Sequence, residues 1–468
     1  MEKQLLAHFQ RLVEQRRADA LGSTLRHPKS TTPIPRTLLL SGYCGSGNVG
    51  ADIRMNEIIR QIQHIFQPKQ VKLAYTSPQA LHYGAYNTLP WEASTNDPDA
   101  LFAPYDGVIV CEGSLFKSQF SNVMAISLIG ALGLAASENK VSVAYGAEAG
   151  KMDKFVAEFA SDLCKDSLLI ARSEPSKRLI EKDLNLPAEL GADTAWTFSP
   201  SSPEKSRKLL MKVGWNGKDP IICVAPINPF WWPVRPDLEK AAALSTSGEF
   251  KDIHHRSIFF HHDSEESRGQ YQHYIQSIAQ ALNTFQRESG GFIVIAGMES
   301  LDRTACKDLN SLLKSPAPIF MSGDYSMYDI VSVLRQAHIM VSSRYHALVT
   351  SIPGGVPGIG ITMDERIRNL QAERHAPECV LETDAPDLQD KLITLLRQVH
   401  QHHHQYTANL PEFIESQLNR MSKMGQLLAK DVTEKYPEIN TPNGHELEDF
   451  LPPLPSTILD LLYQGVAS

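Results

Sequence analysis

Short, uninterrupted apolar runs alternate along this chain with longer stretches in which apolar residues recur every three or four positions. The runs at 37–41, 71–75, 107–111, 141–145 and 168–171 have the continuous hydrophobicity of strands buried on both faces of a parallel sheet. The stretches between them, such as 52–66, carry the helical period and predict crossover helices. Residues 123–136 are apolar almost throughout, too short for a bilayer span and suited to a buried helix. A segment rich in Ser, Pro and Lys at 199–208 reads as a hinge. Beyond it the alternation resumes, with strands at 221–225, 257–260, 292–296, 319–322, 337–341 and 358–361 and helices at 271–287 and 306–313.

Two successive series of alternating strands and helices predict an α/β protein with two Rossmann-like, doubly wound lobes facing a cleft, a GT-B-like arrangement. The boundaries follow: an N-terminal helix and linker at 1–36, a first lobe at 37–200, a second at 201–388 and a helical C-terminal extension at 389–468. In the first helix Leu5, Phe9, Leu12 and Val13 fall near helical spacing, and the Pro- and Thr-rich stretch 26–35 ends it.

Composition narrows the function classes. A chain of 468 residues exceeds one ordinary core, and 42% hydrophobic with 21% charged content excludes a disordered or fibrous class. A formal net charge of -8 leaves no basic footprint, so no nucleic-acid partner is expected. The six cysteines, Cys44, Cys111, Cys164, Cys223, Cys306 and Cys379, are far apart without a C-x-x-C pair, which fits a reducing compartment. Residues 1–21 lack a secretory signal and no apolar run reaches about 18 residues. The expected location is cytoplasmic, with peripheral membrane association left open. The histidine runs at 254–255, 261–262 and 402–404 lack the i, i+4 spacing and carboxylate of a helical ligand set, so no metal is expected.

Candidate chemistry gathers where strands end, the edge at which open α/β sheets bind ligands. After the run 337–341 comes Ser342-Ser343-Arg344-Tyr345-His346. Arg344 offers a fork for a carboxylate or phosphate, His346 offers a proton near neutral pH, and Ser343 and Tyr345 flank them as binding groups. Upstream, Gly42, Gly45, Gly47, Asn48 and Gly50 join the first strand to a helix whose start carries Asp52. Glycines there let backbone amides approach an anion at a helix N-terminus. No Gly-Lys-Ser/Thr follows, so this is not a nucleotide P-loop. Glu112 and Ser114 follow the strand 107–111, Glu112 being either an acceptor-binding carboxylate or a cap partner. Arg172 directly follows 168–171 and either lines the ligand edge or pairs with Glu174. Glu148 and Asp193 close neighbouring strand ends, and Phe230, Trp231 and Trp232 in a Pro-rich loop either stack on a sugar or pack inside the protein.

These motifs resemble the polysaccharide pyruvyl transferase family. The resemblance rests on Ser342-x-Arg344-x-His346-x-Leu348 followed by Gly355-Val356-Pro357, on the Gly-rich loop 42–50, and on Ile170-Ala171-Arg172-Ser173. Ala51 interrupts the family's usual Gly-Asn-x-Gly-Asp run, and Glu112 stands where a glycine is usual. The resemblance implies transfer of a pyruvyl group from phosphoenolpyruvate, the donor substrate, to two hydroxyls of a saccharide or lipid-linked glycan, forming a ketal, with no cofactor. It implies His346 as general acid or base, Arg344 and Arg172 on the donor, and Ser343 or the Gly-rich loop on phosphate or acceptor. A nucleotide-sugar glycosyltransferase and a non-catalytic glycan-binding protein are the alternatives on the same fold. A homo-oligomer is compatible with either.

Overall fold

The computed structural model describes residues 2–22, 35–76, 88–89, 102, 104–247, 254–256, 259–442, 444 and 446–466. It divides into two compact units: residues 1–46, 54–194 and 417–453 form the first, and residues 47–53, 195–416 and 454–468 the second.

In the first unit, β1 (Arg36–Ser41), β2 (Val71–Thr76), β3 (Thr88–Leu89), β4 (Gly107–Val110), β5 (Val141–Ala147), β6 (Leu168–Ala171) and β7 (Glu189–Leu190) make one parallel sheet in the order β3-β2-β1-β4-β5-β6-β7. Every residue of β4 and β5 is buried, which is why these strands read as unbroken apolar runs. The strand order reverses between β1 and β4, so their carboxyl ends, leading into Gly42 and Glu112, are the switch point.

The apolar helix Asn122–Ser137 is buried on nearly all sides and starts where the Ser121 hydroxyl accepts the Met124 amide. The N-terminal helix Glu2–Gly22 packs on it with Leu5, Phe9 and Val13 buried. Phe9 lies so close to Gly130 that a methyl there would overlap its ring. Residues 417–453 belong here too, since the Tyr436 hydroxyl donates to the Asp106 carbonyl at 2.6 Å and Gln61 Nε2 donates to the carbonyls of Met421 and Phe450. No helix among the described residues is long and apolar enough to cross a membrane.

The second unit starts its own sheet with β8 (Ile221–Ala225). Three short strands, β9 (Arg235–Pro236), β10 (His254–Arg256) and β11 (Phe259–Phe260), form a separate antiparallel ribbon. The strand read at 257–260 therefore does not join the parallel series; its residues 257 and 258 lie outside the described residues, as do 26–34 of the N-terminal linker. The main sheet continues with β12 (Phe292–Gly297), β13 (Ile319–Met321), β14 (Ile339–Ser342), β15 (Gly358–Thr362) and β16 (Val380–Glu382), all parallel, in the order β13-β12-β8-β14-β15-β16. Helices Glu265–Ser289 and Leu388–Gln401 bury Ile278, Leu282, Leu392 and Leu396 in its core. Here the order reverses between β8 and β14.

The segment read as a hinge is partly helical, Pro203–Lys212. Ser202 accepts the Lys205 amide as N-cap and Pro203 opens the helix, so Ser-Pro here is a helix-start signal rather than a linker.

Candidate active site

At the carboxyl end of β14 the chain turns sharply. The Ser342 hydroxyl donates to the Arg344 carbonyl at 2.8 Å and accepts the Arg344 amide at 2.9 Å, while the Ser343 amide donates to the Ala225 carbonyl at the end of β8. Ser343 Oγ also meets the buried Tyr274 hydroxyl at 2.8 Å. Arg344 caps the short helix Tyr345–Ser351. This turn sits beside β8, at the switch point of the second sheet, where ligand binding is expected.

Two carboxylates after β12 hold the Arg344 guanidinium. Nε donates to both oxygens of Asp302, at 3.1 and 3.0 Å, and Nη2 donates to Asp302 Oδ1 and to Glu299 Oε2, the latter at 3.0 Å. Asp302 is fully buried and also accepts the backbone amides of Met298 and Glu299. Burial pushes the Asp302 carboxyl up to about 6, against the pull of Arg344. For Arg344, burial works against the charge and is outweighed by Asp302 and Glu299, so its pKa is raised. Its side chain keeps 14% exposure.

The second half of the Gly-rich loop joins this cluster. Asn48 Nδ2 donates to Glu299 Oε2 at 2.8 Å, the Val49 amide donates to the Met298 carbonyl at 2.8 Å, and Ser322 Oγ donates to the Gly47 carbonyl at 2.6 Å. Asn48 Oδ1 accepts the Ala51 amide and its carbonyl accepts that of Asp52, starting the helix Val49–Ile65 with Asp52 in its first turn. Gly50 packs against His346 so tightly that a methyl there would overlap the imidazole. The His346 ring lies edge-on to the ring of Tyr345, with centroids 5.1 Å apart. Gly47, Asn48, Ser343, Arg344 and His346 are thus brought into one neighbourhood by strand ends and a loop. The acids that organise it, Glu299 and Asp302, escaped the sequence reading. Their signal was present, as two carboxylates within a few residues of the end of a predicted strand.

Arg172 has different surroundings, in the first unit. It is 3% exposed, with Nε on Glu148 and Nη1 at 3.2 Å from Asp193 Oδ2. Asp193 also accepts Arg54 Nη1 at 2.7 Å, and Glu148 accepts the Ser176 hydroxyl at 2.9 Å. Arg54 Nη2 adds the carbonyls of Tyr145 and Gly146. Two arginines and two acids make a buried, charge-balanced set. Glu174, offered above as a partner for Arg172, instead lies 3.7 Å from Arg178 on the surface.

Glu112 uses both carboxylate oxygens on backbone amides, Tyr43 at 3.1 Å and Ser114 at 2.8 Å. It thereby ties the start of the Gly-rich loop, whose Gly45 has φ 78°, to the loop after β4. Gly42 admits this close approach, since a Cβ there would stand 3.2 Å from the Glu112 nitrogen. Trp231 stacks on His261 at 4.6 Å and Trp232 meets the same ring edge-on. All six cysteines are buried as thiols.

Among curated proteins no sequence matches this chain. Solved structures do. One described as a UDP-N-acetylglucosamine 2-epimerase from Listeria monocytogenes is 10% identical, with TM-score 0.52 over 88% of this chain and 100% of that one. The S. aureus MnaA–UDP complex is 11% identical, with TM-score 0.52 and the same coverages. At such identity the likeness shows the fold, two Rossmann-like lobes of the GT-B type. The polysaccharide pyruvyl transferase family model matches residues 51–365, more than half of the sequence, and the chain belongs to that family.

Proposed function

We propose that this protein transfers a pyruvyl group from phosphoenolpyruvate to two hydroxyls of a saccharide, releasing phosphate. One acceptor hydroxyl adds to the enol carbon as the methylene gains a proton and becomes a methyl. The second hydroxyl then displaces phosphate at the same carbon, closing the ketal, so that one hydroxyl proton balances the new methyl hydrogen and the other leaves with phosphate. His346 serves as general acid or base, and the exposed Nη1 edge of Arg344 steadies the donor's carboxylate or phosphate. Asn48 and the loop 47–50 contact donor or acceptor. Arg172, which family resemblance places on the donor, is engaged by Glu148 and Asp193 inside the first unit, and no donor contact is proposed for it. The reaction as written needs no cofactor. The acceptor is a free or lipid-linked glycan, and buried thiols support a reducing, cytoplasmic location.

The observation that carries this reading is the packing of His346 against Gly50 beside the Asn48–Glu299–Arg344 chain, within a chain of this family. Purified protein incubated with phosphoenolpyruvate and a panel of hexosides should release inorganic phosphate. His346→Ala should reduce that release about 100-fold or more without changing the unfolding temperature. Full turnover by a folded variant would remove His346 from the mechanism. Thermal protection by a nucleoside diphosphate but not by phosphoenolpyruvate would favour a glycosyltransferase instead.

A further inference from the structure

Among the described residues the Arg344 guanidinium makes its hydrogen bonds through Nε and Nη2, to Asp302 and Glu299. Among the described residues no bond is made to Nη1. A guanidinium so held cannot grip an anion with both arms; it presents one edge. The pair behind it is well built. Asp302 is fixed by two backbone amides at 3.0 and 3.1 Å, and Glu299 links Arg344 to Asn48 of the Gly-rich loop.

We propose that Asp302, with Glu299 beside it, is a positioning residue for the transfer reaction, locking the Arg344 fork so that only its Nη1 edge meets the anionic donor. Asp302 touches no substrate itself, and the proposal rests on the pyruvyl-transfer reading above. Around it, among the described residues, stand Arg344, Glu299, Tyr274 and Cys306. With the carboxyl pushed up to about 6, its grip on Arg344 is complete at neutral pH and is lost as pH falls through about 6.

Asp302→Asn tests this, because an amide oxygen can still accept the two backbone amides but carries no charge for Arg344. At pH 7.5 the variant should show a KM for phosphoenolpyruvate raised roughly tenfold, with kcat changed less. The wild-type rise in KM below about pH 6 should be absent from the variant. A second readout does not depend on turnover: the rate at which phenylglyoxal modifies Arg344, followed by peptide mass spectrometry. Loosening the Nε and Nη2 bonds to residue 302 should speed it several-fold in Asp302→Asn, with Arg178 as internal reference. An unchanged modification rate at Arg344 overturns the proposal, as does an unchanged KM and pH profile in an active enzyme. If the wild type turns over no phosphoenolpyruvate, the functional reading falls, and the modification rates still decide whether Asp302 locks the fork.

Discussion

Two arginines each follow a parallel strand in this protein, Arg172 after β6 and Arg344 after β14, and local sequence would assign them one job. Their surroundings differ. Arg172 sits in a buried set whose two positive and two negative charges cancel, whereas Arg344 is clasped from behind by two acids and keeps an exposed edge. A strand end delivers a side chain to the rim of the sheet. Whether that side chain meets a ligand or a counter-charge depends on what other strand ends bring to the same place.

This contrast can be broken most forcefully in the first unit. Arg172→Met should remove a counter-charge from both buried acids, Glu148 and Asp193, destabilising the fold by about 3–5 kcal/mol, read as a lower urea midpoint. An unshifted midpoint would mean that the buried set is dispensable. In the second unit the expected loss is of activity. Gly50→Ala should force the His346 side chain from its place, since a Cβ there would also stand 2.7 Å from the His346 Cβ, and should lower phosphate release about 100-fold with a stability loss of about 1–3 kcal/mol. Wild-type turnover in Gly50→Ala would show that the ring position is unimportant.

The pH dependence sharpens the comparison with a smaller effect. Asp302 titrates near 3.8 when unfolded and about 6 when folded, so between these values the folded state holds the extra proton. Its contribution to stability is fully present below about pH 4 and is lost as pH rises through about 6, by on the order of 1–3 kcal/mol. Wild type minus Asp302→Asn should therefore show stability falling across that window, and a flat difference would contradict the raised value. The smallest effect belongs to Glu174→Gln, which breaks an exposed pair with Arg178 at 3.7 Å and should change the unfolding free energy from urea titration by less than about 0.5 kcal/mol.

The longer strands of both sheets were legible in the sequence because burial on both faces demands unbroken apolar runs, and β8 and β6 fall where those runs lie, whereas β16 (Val380–Glu382) was not read. The loop after β14 was legible for a related reason: Ser343, Arg344 and His346 interrupt apolar sequence directly after a strand. Two-residue strands such as β7 and β9 were not, since so short a stretch carries no period. What one chain could not reveal was which side chains of distant segments share a neighbourhood. Asp302 lies 42 positions from Arg344, and Glu148 lies 24 from Arg172. Local pattern sets where strands begin and end; the order in which those strands pair decided that one arginine is sealed among acids and the other is held open at an edge.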